Sequence, residues 1–231
     1  MTASSPTALK QAAAYRAVEF VESGMTVGLG HGSTAAFAVE RLAERLAEGR
    51  LVNILAVPCS LEVERLARGL GIPLTTFEQH PAIDLTIDGA DEVDPHLDLI
   101  KGGGGALLRE KVVASVSRRE IIVVDESKLS ERLGTRFALP VEVVPFACAV
   151  VSRFLTHLGA TVTVRATAAG QPFRTDQGNG ILDCRFGPIR NAHDLARRLD
   201  AQPGIVEHGL FIALATDLVV ADRSGVHHRA R

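Results

Sequence analysis

Four consecutive glycines stand between a lysine and a helical pattern that carries a glutamate. The run is Lys101 followed by Gly102–Gly105, and Glu110 lies in the stretch GALLREKVVASV (105–116). Ordering so many glycines is entropically costly, which is hard to explain in a mere connector. Their N–H groups can bind a ligand, while a carboxylate removes a proton beside a carbonyl and the lysine stabilises the oxyanion. An ordinary charged helix face explains Glu110 equally well from this segment alone.

An acidic loop, DGADEVD (88–94), follows the apolar strand pattern IDLTI. Four acids thus fall within seven residues at the carboxyl end of an expected parallel strand, the edge where such sheets bind ligands. Because only Gly89 and Ala90 separate Asp88 from Asp91, both aspartates can line a cleft and shuttle protons among hydroxyl groups. A magnesium site is an alternative, but no diphosphate-binding motif accompanies it. A solvated turn accounts for the remaining acids, Glu92 and Asp94.

A third cluster, GLGHGST (28–34), falls between a strand pattern and a helical pattern. Its glycines allow close approach of N–H groups to an anion, and Ser33 or Thr34 can cap a helix whose N-terminus favours phosphate. A dinucleotide site is excluded, because the sixth-position glycine is missing and no acid ends the second strand. A P-loop is excluded because no Gly-Lys-Ser/Thr ends the run. A site for one small phosphate remains, beside the alternative of a tight turn with a capping serine.

The elements that position these clusters alternate between short apolar strands and helices over the first 130 residues, as in a parallel α/β sheet. Helical spacing and stop signals predict helices at 9–21, 33–48, 60–70 and 105–116. Apolar runs predict strands at 25–30, 51–58, 72–77, 83–88 and 120–125. Lys128 follows the last of these strands, at the edge that bears the clusters, although a surface lysine explains it equally well.

The pattern changes after about residue 133. Strands are expected at 137–145, 161–167, 180–186 and 204–209, and helices at 146–158 and 191–199. This order, βαββαβ, is ferredoxin-like. A last strand at 213–222 is long and apolar enough to rejoin the first sheet. We therefore expect an α/β fold with a doubly wound domain, residues 1–133 plus 210–231, and an inserted α+β domain, residues 134–209.

The charge balance excludes some partners. The chain has 25 Lys and Arg against 27 Asp and Glu, a net charge of −2, so it lacks the basic excess that holds nucleic acid. Neither a signal-peptide pattern nor a run of about 18 apolar residues is present, so no membrane association is expected. Three scattered cysteines suit neither a disulfide framework nor a zinc site, and we expect thiols in a reducing cytoplasm. The His227–His228 pair is expected in a solvated tail.

Seven segments in this order carry a resemblance: GLGHGSTA (28–35), TIDGADEVD (86–94), KGGGGALLREK (101–111), VVDESK (123–128), LPVEVVPFA (139–147), TDQGNGILDCRFGPI (175–189) and PGIVEHGLF (203–211). Together they resemble the type A ribose-5-phosphate isomerases. The resemblance implies a Rossmann-like doubly wound sheet with an inserted ferredoxin-like α+β lid domain. It also implies interconversion of D-ribose 5-phosphate and D-ribulose 5-phosphate through an enediolate, in the non-oxidative pentose phosphate pathway. It implies no metal or organic cofactor, and a homodimer or homotetramer.

The resemblance further implies roles for single residues. Glu110 matches the family's catalytic base, and Lys101 matches the lysine that stabilises the enediolate. Asp88 and Asp91 match the aspartates of ring opening and of proton movement among the sugar oxygens. The implied substrate-binding positions are Lys10, Gly30, His31, Gly32, Ser33, Thr34, Gly89, Ala90, Gly102, Gly103, Gly104 and Lys128.

The chain departs from the family at His31, where the loop usually reads Gly-Thr-Gly-Ser-Thr. A protonated imidazole there adds positive charge to the phosphate site and makes phosphate affinity depend on pH. The alternative is a tolerated variant in which only the backbone N–H of His31 binds the phosphate.

Two other classes of function compete with an isomerase. A non-catalytic sugar-phosphate sensor on the same fold is expected to lack a lysine–carboxylate pair and usually carries a DNA-binding helix-turn-helix. An acyl-CoA transferase on a related scaffold needs a nucleophilic glutamate in a different loop and a longer chain. Lys101 and Glu110 favour the isomerase.

Overall fold

The computed structural model describes residues 5–231, and the chain crosses four times between two structural units. Unit 1 comprises the residues up to Ala90, Arg109–Lys128 and Ala213–Arg231, and unit 2 comprises Asp91–Leu108 and Leu129–Ile212. This division differs from the expected domains, 1–133 plus 210–231 and 134–209, chiefly in segment 91–108. That segment joins unit 2 because its two short strands pair with each other, because the second of them pairs with Leu210–Phe211, and because Ile100 lies in the core of unit 2.

Six α-helices and thirteen strands form the described chain. The helices are α1 (Pro6–Val18), α2 (Ser33–Ala47), α3 (Leu61–Gly69), α4 (Leu107–Ser115), α5 (Cys148–His157) and α6 (Ala192–Asp200). The first strands are β1 (Thr26–Leu29), β2 (Leu55–Pro58), β3 (Ile83–Asp88), β4 (Glu92–Val93), β5 (Leu99–Ile100), β6 (Ser117–Asp125) and β7 (Leu139–Val143). The remaining strands are β8 (Thr161–Val164), β9 (Gly180–Arg185), β10 (Ile205–His208), β11 (Leu210–Phe211), β12 (Asp217–Asp222) and β13 (Gly225–Ala230).

The sheet of unit 1 has the order β2-β1-β3-β6-β12-β13, with β13 antiparallel and the other strands parallel. Its five parallel strands follow the order 2-1-3-4-5, one of the two common doubly wound arrangements. The middle strands are buried along most of their length, as expected for a parallel sheet covered on both faces. The predicted α/β fold class is therefore confirmed, and the segment 213–222 does return a strand to this sheet.

Small side chains allow close packing in the core of unit 1. Helix α1 buries Ala13, Ala14 and Ala17, and α2 contributes Val39 and Leu42 to the same cluster. Ser5 caps α1 by accepting a hydrogen bond from the N–H of Ala8, with Pro6 in the first turn where its missing N–H costs nothing. These helices fix the strands whose carboxyl ends carry the candidate site.

Unit 2 contains the predicted βαββαβ order as β7-α5-β8-β9-α6-β10. Its four-stranded antiparallel sheet has the order β10-β7-β9-β8, and β11, β5 and β4 form a separate small sheet. Leu139, Val141 and Val143 of β7 pack with Leu155 of α5 and Leu199 of α6 in one buried core. This confirms the inserted ferredoxin-like α+β domain.

A buried carboxylate lies on the central strand of unit 2. Glu142 is fully buried, and its Oε1 accepts hydrogen bonds from Thr175 Oγ1 (2.8 Å) and Asn179 Nδ2 (2.9 Å). Burial raises the pKa of Glu142, and the two hydrogen bonds oppose that shift; Glu207 and Asp176 raise the pKa further by repulsion. The carboxyl group thus ties the segment 175–179 to β7.

Glu92 corrects the expectation of a solvated turn. It begins β4 rather than lying in a loop, and its side chain is fully buried. Its carboxylate accepts four backbone hydrogen bonds, which come from the N–H groups of residues 134, 135, 136 and 137 at 2.9–3.1 Å. The expectation holds for Asp94, whose Oδ1 accepts from the N–H groups of His96 and Asp98 in a local turn.

The strand predicted at 72–77 is wrong. Only Leu74 makes a bridge, to Ala56, because Pro73 has no N–H to donate to a ladder. The histidines at 227–228 are exposed, as expected for a solvated pair, but they lie in the paired strand β13 and not in a tail.

The paired strand β13 brings His228 to a charged cluster. Nε2 of His228 lies 2.7 Å from Oδ1 of Asp217. The same oxygen accepts a hydrogen bond of 2.7 Å from Nη2 of Arg119. The pKa of Asp217 falls to about 2, because hydrogen bonds from Arg119, Thr216 and His228 outweigh the burial that acts against ionisation. Among residues 5–231, no helix is long and apolar enough to cross a membrane.

Candidate functional site

The N-terminus of α2 forms a cradle suited to a phosphate in unit 1. Gly32 is the N-cap, with φ +102° and no side-chain capping bond, so Ser33 and Thr34 are the first helical residues and the expectation that one of them caps the helix is wrong. The N–H groups of the first turn therefore lack a side-chain cap, an arrangement that favours anions. Lys10 of α1 donates to Ser33 Oγ at 3.1 Å, which adds a cation to this helix end.

Asp88, at the end of β3, organises the loop after β1. Its Oδ1 accepts from the N–H of His31 at 3.0 Å and from the N–H of Gly89 at 2.7 Å. A Cβ on Gly30 would lie 2.3 Å from that same oxygen, so only glycine fits there. The structure thus brings together the glycine loop and the acidic loop, which are about 57 residues apart in sequence.

Asp88 also lies close to Glu110 in the first turn of α4. One carboxylate oxygen of each, together with the Sγ of Cys59, falls within 4.8 Å of the others, and all three residues are buried. Two close carboxylates can divide acid and base roles between them. A thiol with two carboxylates can also ligate a soft or borderline metal ion.

The ring of His31 lies beside α3. Its Nδ1 is 3.1 Å from Oγ of Ser60, and Ser60 caps α3 by accepting from the N–H of Val63 at 3.1 Å. His31 thus contributes its backbone N–H to Asp88 and its side chain to a neighbouring helix start. The imidazole is half-buried.

The carboxyl ends of neighbouring strands bring these residues to one edge of the sheet. Strand β1 lies between β2 and β3, and β6 follows β3 in the sheet. Asp88 ends β3, and Cys59 and Lys128 follow β2 and β6 at that edge. Lys128 ends a short 3₁₀ turn and is half-buried. Within residues 5–231, neither Thr34 nor Lys128 makes a side-chain hydrogen bond to another candidate residue of unit 1.

In unit 2, Lys101 is held by the small sheet that contains β5 and β11. Its backbone N–H donates to the carbonyl of Gly209 at 2.9 Å, and its side chain is only 2% exposed. The ammonium lies 5.4 Å from the ring centroid of the buried Phe211, within range of a cation–π interaction. The ring face of Phe211 favours a positive charge at this position.

Asp91 contacts the four-glycine loop, residues 102–105. Its Oδ2 accepts from the N–H of Gly103 at 2.8 Å, and its own N–H donates to the carbonyl of Ile100. Gly102 and Gly105 have φ of +105° and +83°, which other residues rarely adopt, and the N–H of Gly105 closes a turn onto the carbonyl of Gly102. The loop and Asp91 therefore form one hydrogen-bonded unit.

Two residues near these groups were missed by the sequence reasoning. Cys59 follows β2 at the same edge as the predicted residues, so its place after a parallel strand was a usable signal. Arg165 donates to the carbonyls of Gly102 and Gly103, but it lies in a short strand-like stretch of alternating residues that gives no sign of this role.

The fold and these groups define an α/β enzyme that binds a small phosphorylated compound and transfers protons. The family described as ribose 5-phosphate isomerase A (phosphoriboisomerase A) matches residues 55–225. The chain belongs to this family.

Known relatives are similar in sequence over nearly the whole chain. A ribose-5-phosphate isomerase A from Chloroflexus aurantiacus is 59% identical over 228 residues, which cover 99% of this chain and 95% of that protein. A probable ribose-5-phosphate isomerase 2 from Arabidopsis thaliana is 46% identical, with coverages of 94% and 84%.

Solved structures show the same fold. The ribose 5-phosphate isomerase of Plasmodium falciparum superposes with a TM-score of 0.94 at 41% identity, over 97% of this chain and 99% of that chain. A D-ribose-5-phosphate isomerase in complex with phospho-erythronic acid gives a TM-score of 0.94 at 38% identity, with coverages of 96% and 98%.

Proposed function

We propose that this chain interconverts D-ribose 5-phosphate and D-ribulose 5-phosphate through an enediolate, in the non-oxidative branch of the pentose phosphate pathway. The observation that carries the proposal is the buried pair of carboxylates, Asp88 and Glu110, within 4.8 Å of each other in a chain of this family. Ribose 5-phosphate is mostly a closed ring, so the reaction needs both ring opening and proton transfer at carbon.

The phosphate is bound by the first turn of α2, with Lys10, Ser33 and Lys128 supplying charge and a hydroxyl. Backbone N–H groups and the helix dipole favour a dianion at that helix end. Gly30, His31, Gly32 and Thr34 complete this loop. Because the N–H of His31 donates to Asp88, phosphate binding and the acid–base residue share one loop.

Ring opening uses Asp88 and Asp91. Gly89 and Ala90 lie between these two aspartates and shape the loop that follows Asp88. Asp88 and Asp91 exchange protons with the sugar oxygens, so that the hemiacetal O–H loses a proton and the ring oxygen gains one. The open-chain aldehyde that results has an acidic hydrogen on C2.

Glu110 then removes the C2 hydrogen. The electrons of the C–H bond form the C1–C2 double bond, and the carbonyl electrons move to O1, giving the enediolate. Lys101 and the N–H groups of Gly102 and Gly104 stabilise that charge, while the N–H of Gly103 holds the carboxylate of Asp91. Glu110 returns the proton to C1 while a proton moves from O2 to O1, which completes the ketose without a metal or organic cofactor.

The test is the formation of ribulose 5-phosphate from ribose 5-phosphate in the presence of EDTA, with wild type, Glu110→Gln and Glu62→Gln compared. Glu62 is the matched control, because it is an exposed glutamate in the first turn of α3. We expect wild type and Glu62→Gln to be active with EDTA and Glu110→Gln to lose about 100-fold or more in kcat. Deuterium at C1 of ribulose formed in heavy water is the expected mark of the enediolate.

Three results would contradict parts of this scheme. Loss of wild-type activity in EDTA would refute the metal-free mechanism, and full activity of Glu110→Gln would refute its role as the base. Binding of ribose 5-phosphate without turnover would favour the sugar-phosphate sensor.

We also propose that the chain forms a homodimer or homotetramer through a surface that includes α5. Phe146 is fully exposed and Val150, four residues on, is 65% exposed, which favours an apolar contact with another chain. Light scattering is expected to give two or four chain masses for the wild type, and a smaller assembly for Phe146→Ser. An unchanged assembly in that variant would exclude this surface.

We propose a cytoplasmic location on the basis of the thiols. Cys59, Cys148 and Cys184 form no disulfide, and burial raises the pKa of Cys184 to about 12, with repulsion from Asp183 adding to the shift. Free thiols are typical of a reducing compartment. The test is fractionation of the source cells. Recovery of the protein mainly outside the cytoplasmic fraction would contradict the proposal.

A further inference from the structure

The guanidinium of Arg165 is bound to the four-glycine loop. Nη1 of Arg165 donates to the carbonyl of Gly102 at 2.8 Å and to the carbonyl of Gly103 at 3.0 Å. These contacts lie within unit 2, and the arginine side chain is only 12% exposed. One side chain thus binds two successive carbonyls of a loop that has no side chains of its own.

Binding a carbonyl also fixes the next N–H. A trans peptide is planar, so the C=O of one residue and the N–H of the following residue point to opposite sides. With the carbonyls of Gly102 and Gly103 held by Arg165, the N–H groups of Gly103 and Gly104 face away from it. The N–H of Gly103 does so, since it donates to Oδ2 of Asp91 at 2.8 Å.

Arg165 is itself held in a fixed orientation. Its Nε donates to Oδ2 of Asp183 at 2.9 Å, and its Nη2 donates to Oδ1 of the same carboxylate, which makes a bidentate pair. The ring of Phe173 lies 5.7 Å from the guanidinium carbon. The same ring lies 2.4 Å from the position that a Cβ on Gly105 would take, so it also limits the far end of the loop.

The Gly102–Gly103 peptide is held as well by Asp91 and by the N–H of Gly105, so the restraint from Arg165 matters most for the Gly103–Gly104 peptide. Glycine enters both halves of conformational space, and a rotated peptide presents a carbonyl where an N–H is needed. A carbonyl beside a developing enediolate repels it, whereas an N–H stabilises it. The loop therefore needs a group from another segment to fix the peptide in the orientation that presents its N–H.

We propose that Arg165 is a positioning residue, which orients two peptides of the loop. The Gly102–Gly103 peptide then keeps its N–H on Asp91, and the Gly103–Gly104 peptide presents the N–H of Gly104 to the enediolate. This inference rests on the proposed function. Arg165 acts through the loop and does not touch the substrate itself.

The test compares Arg165→Ala and Arg165→Lys with the control Arg198→Ala. Arg198 is an exposed arginine of α6 in the same unit. We expect kcat to fall about 100-fold in Arg165→Ala, by analogy with the loss of a donor that stabilises an oxyanion. In Arg165→Lys, which keeps the charge and loses the planar fork, we expect a fall of about 10-fold. The control is expected to match the wild type.

Two further readouts separate positioning from a general loss of structure. Phospho-erythronic acid has a planar charged carboxylate that resembles the enediolate, so its Ki is expected to rise about as much as kcat falls, while KM for ribose 5-phosphate changes by less than about threefold. Guanidinium chloride at tens of millimolar, well below denaturing concentrations, is expected to restore kcat of Arg165→Ala at least fivefold and to leave Arg198→Ala unchanged.

The two hypotheses fail in different ways. A wild-type enzyme that does not convert ribose 5-phosphate contradicts the proposed function. An active wild type with equal kcat and Ki in Arg165→Ala and Arg198→Ala overturns the role of Arg165. That role is also overturned if Arg165→Lys keeps its wild-type thermal midpoint and its full kcat, or if KM and Ki rise together.

Discussion

Replacing Glu92 by glutamine tests whether one buried carboxylate organises a backbone turn in unit 2. Oε1 accepts from the N–H groups of Thr135 and Arg136, and Oε2 accepts from those of Gly134 and Phe137. Glutamine keeps the volume but has only one acceptor oxygen. Its NH2 group must therefore face two of the four donors.

The expected loss of stability depends on which two of the four backbone N–H groups keep an acceptor oxygen in Glu92→Gln. The amide oxygen is best placed on Gly134 and Phe137, because Thr135 and Arg136 are exposed and their N–H groups can bind water instead. Hydrogen bonds to a charged group contribute about 1.5–3 kcal/mol each, and two are lost. With part of that loss offset by water, we expect Glu92→Gln to lower the free energy of unfolding of this region by about 2–4 kcal/mol.

Amide hydrogen exchange at residues 134–137 measures this local opening directly, and urea unfolding gives the effect on the whole chain. Glu131→Gln is the control, since Glu131 is exposed and close in sequence. We expect faster exchange at these amides only in Glu92→Gln. If both variants shift the opening free energy by less than about 0.5 kcal/mol, the carboxylate does not hold the turn.

Other variants test single features of the two units. Gly105→Ala is expected to lower stability by about 2–3 kcal/mol, because its Cβ meets a ring at 2.4 Å, whereas Gly24→Ala, with similar φ and open space, loses only about 1 kcal/mol in thermal unfolding. Asp217 has a folded pKa of about 2 against 3.8, so it stabilises the fold above about pH 4 and loses that effect as pH falls towards 2; Asp217→Asn should flatten this acid limb in urea titrations. Glu142 is expected to show the opposite pH dependence, because its pKa is raised in the folded state. The protonated carboxyl stabilises the fold below pH 4.5, and this stabilisation is lost as pH rises through the folded pKa. Wild type is therefore expected to lose stability over that pH range, and Glu142→Gln is not. His31→Thr is expected to leave kcat nearly unchanged and to flatten the pH dependence of KM, and an unaltered KM profile refutes a charge role for the imidazole.

The fold could be predicted where the hydrophobic pattern was long. The strands at 83–88 and 217–222 and the βαββαβ order are clear from apolar runs and turn residues. Two-residue strands such as β4 and β5 have no periodicity to detect. Strand β13 was missed because its side chains are exposed and show no alternation of apolar and polar residues. It pairs with β12 through backbone bonds and through contacts of His227 and His228 with Asp222 and Asp217.

The positions of the candidate residues were predictable because strand ends in a parallel sheet share an edge. Asp88 and the loop at 30–34 were expected there, and the structure joins them by the hydrogen bond to His31. Contacts that cross between distant segments were not predictable. The bonds from residues 134–137 to Glu92 and from Arg165 to the glycine loop depend on tertiary packing, which leaves no periodic mark in the sequence.

The four-glycine run shows why residue type alone gives an incomplete account of a loop. An appeal to ligand binding explains such a run, yet three of its glycines have reasons within unit 2. Gly102 and Gly105 need positive φ, and a Cβ on Gly103 would lie 2.7 Å from the carboxylate of Asp91. Because packing within unit 2 already requires glycine at these three positions, the four-glycine run is not by itself evidence of substrate binding. Whether the loop can bind an anion depends on the direction in which its N–H groups point. Groups outside the run, such as Arg165 and Asp91, set that direction.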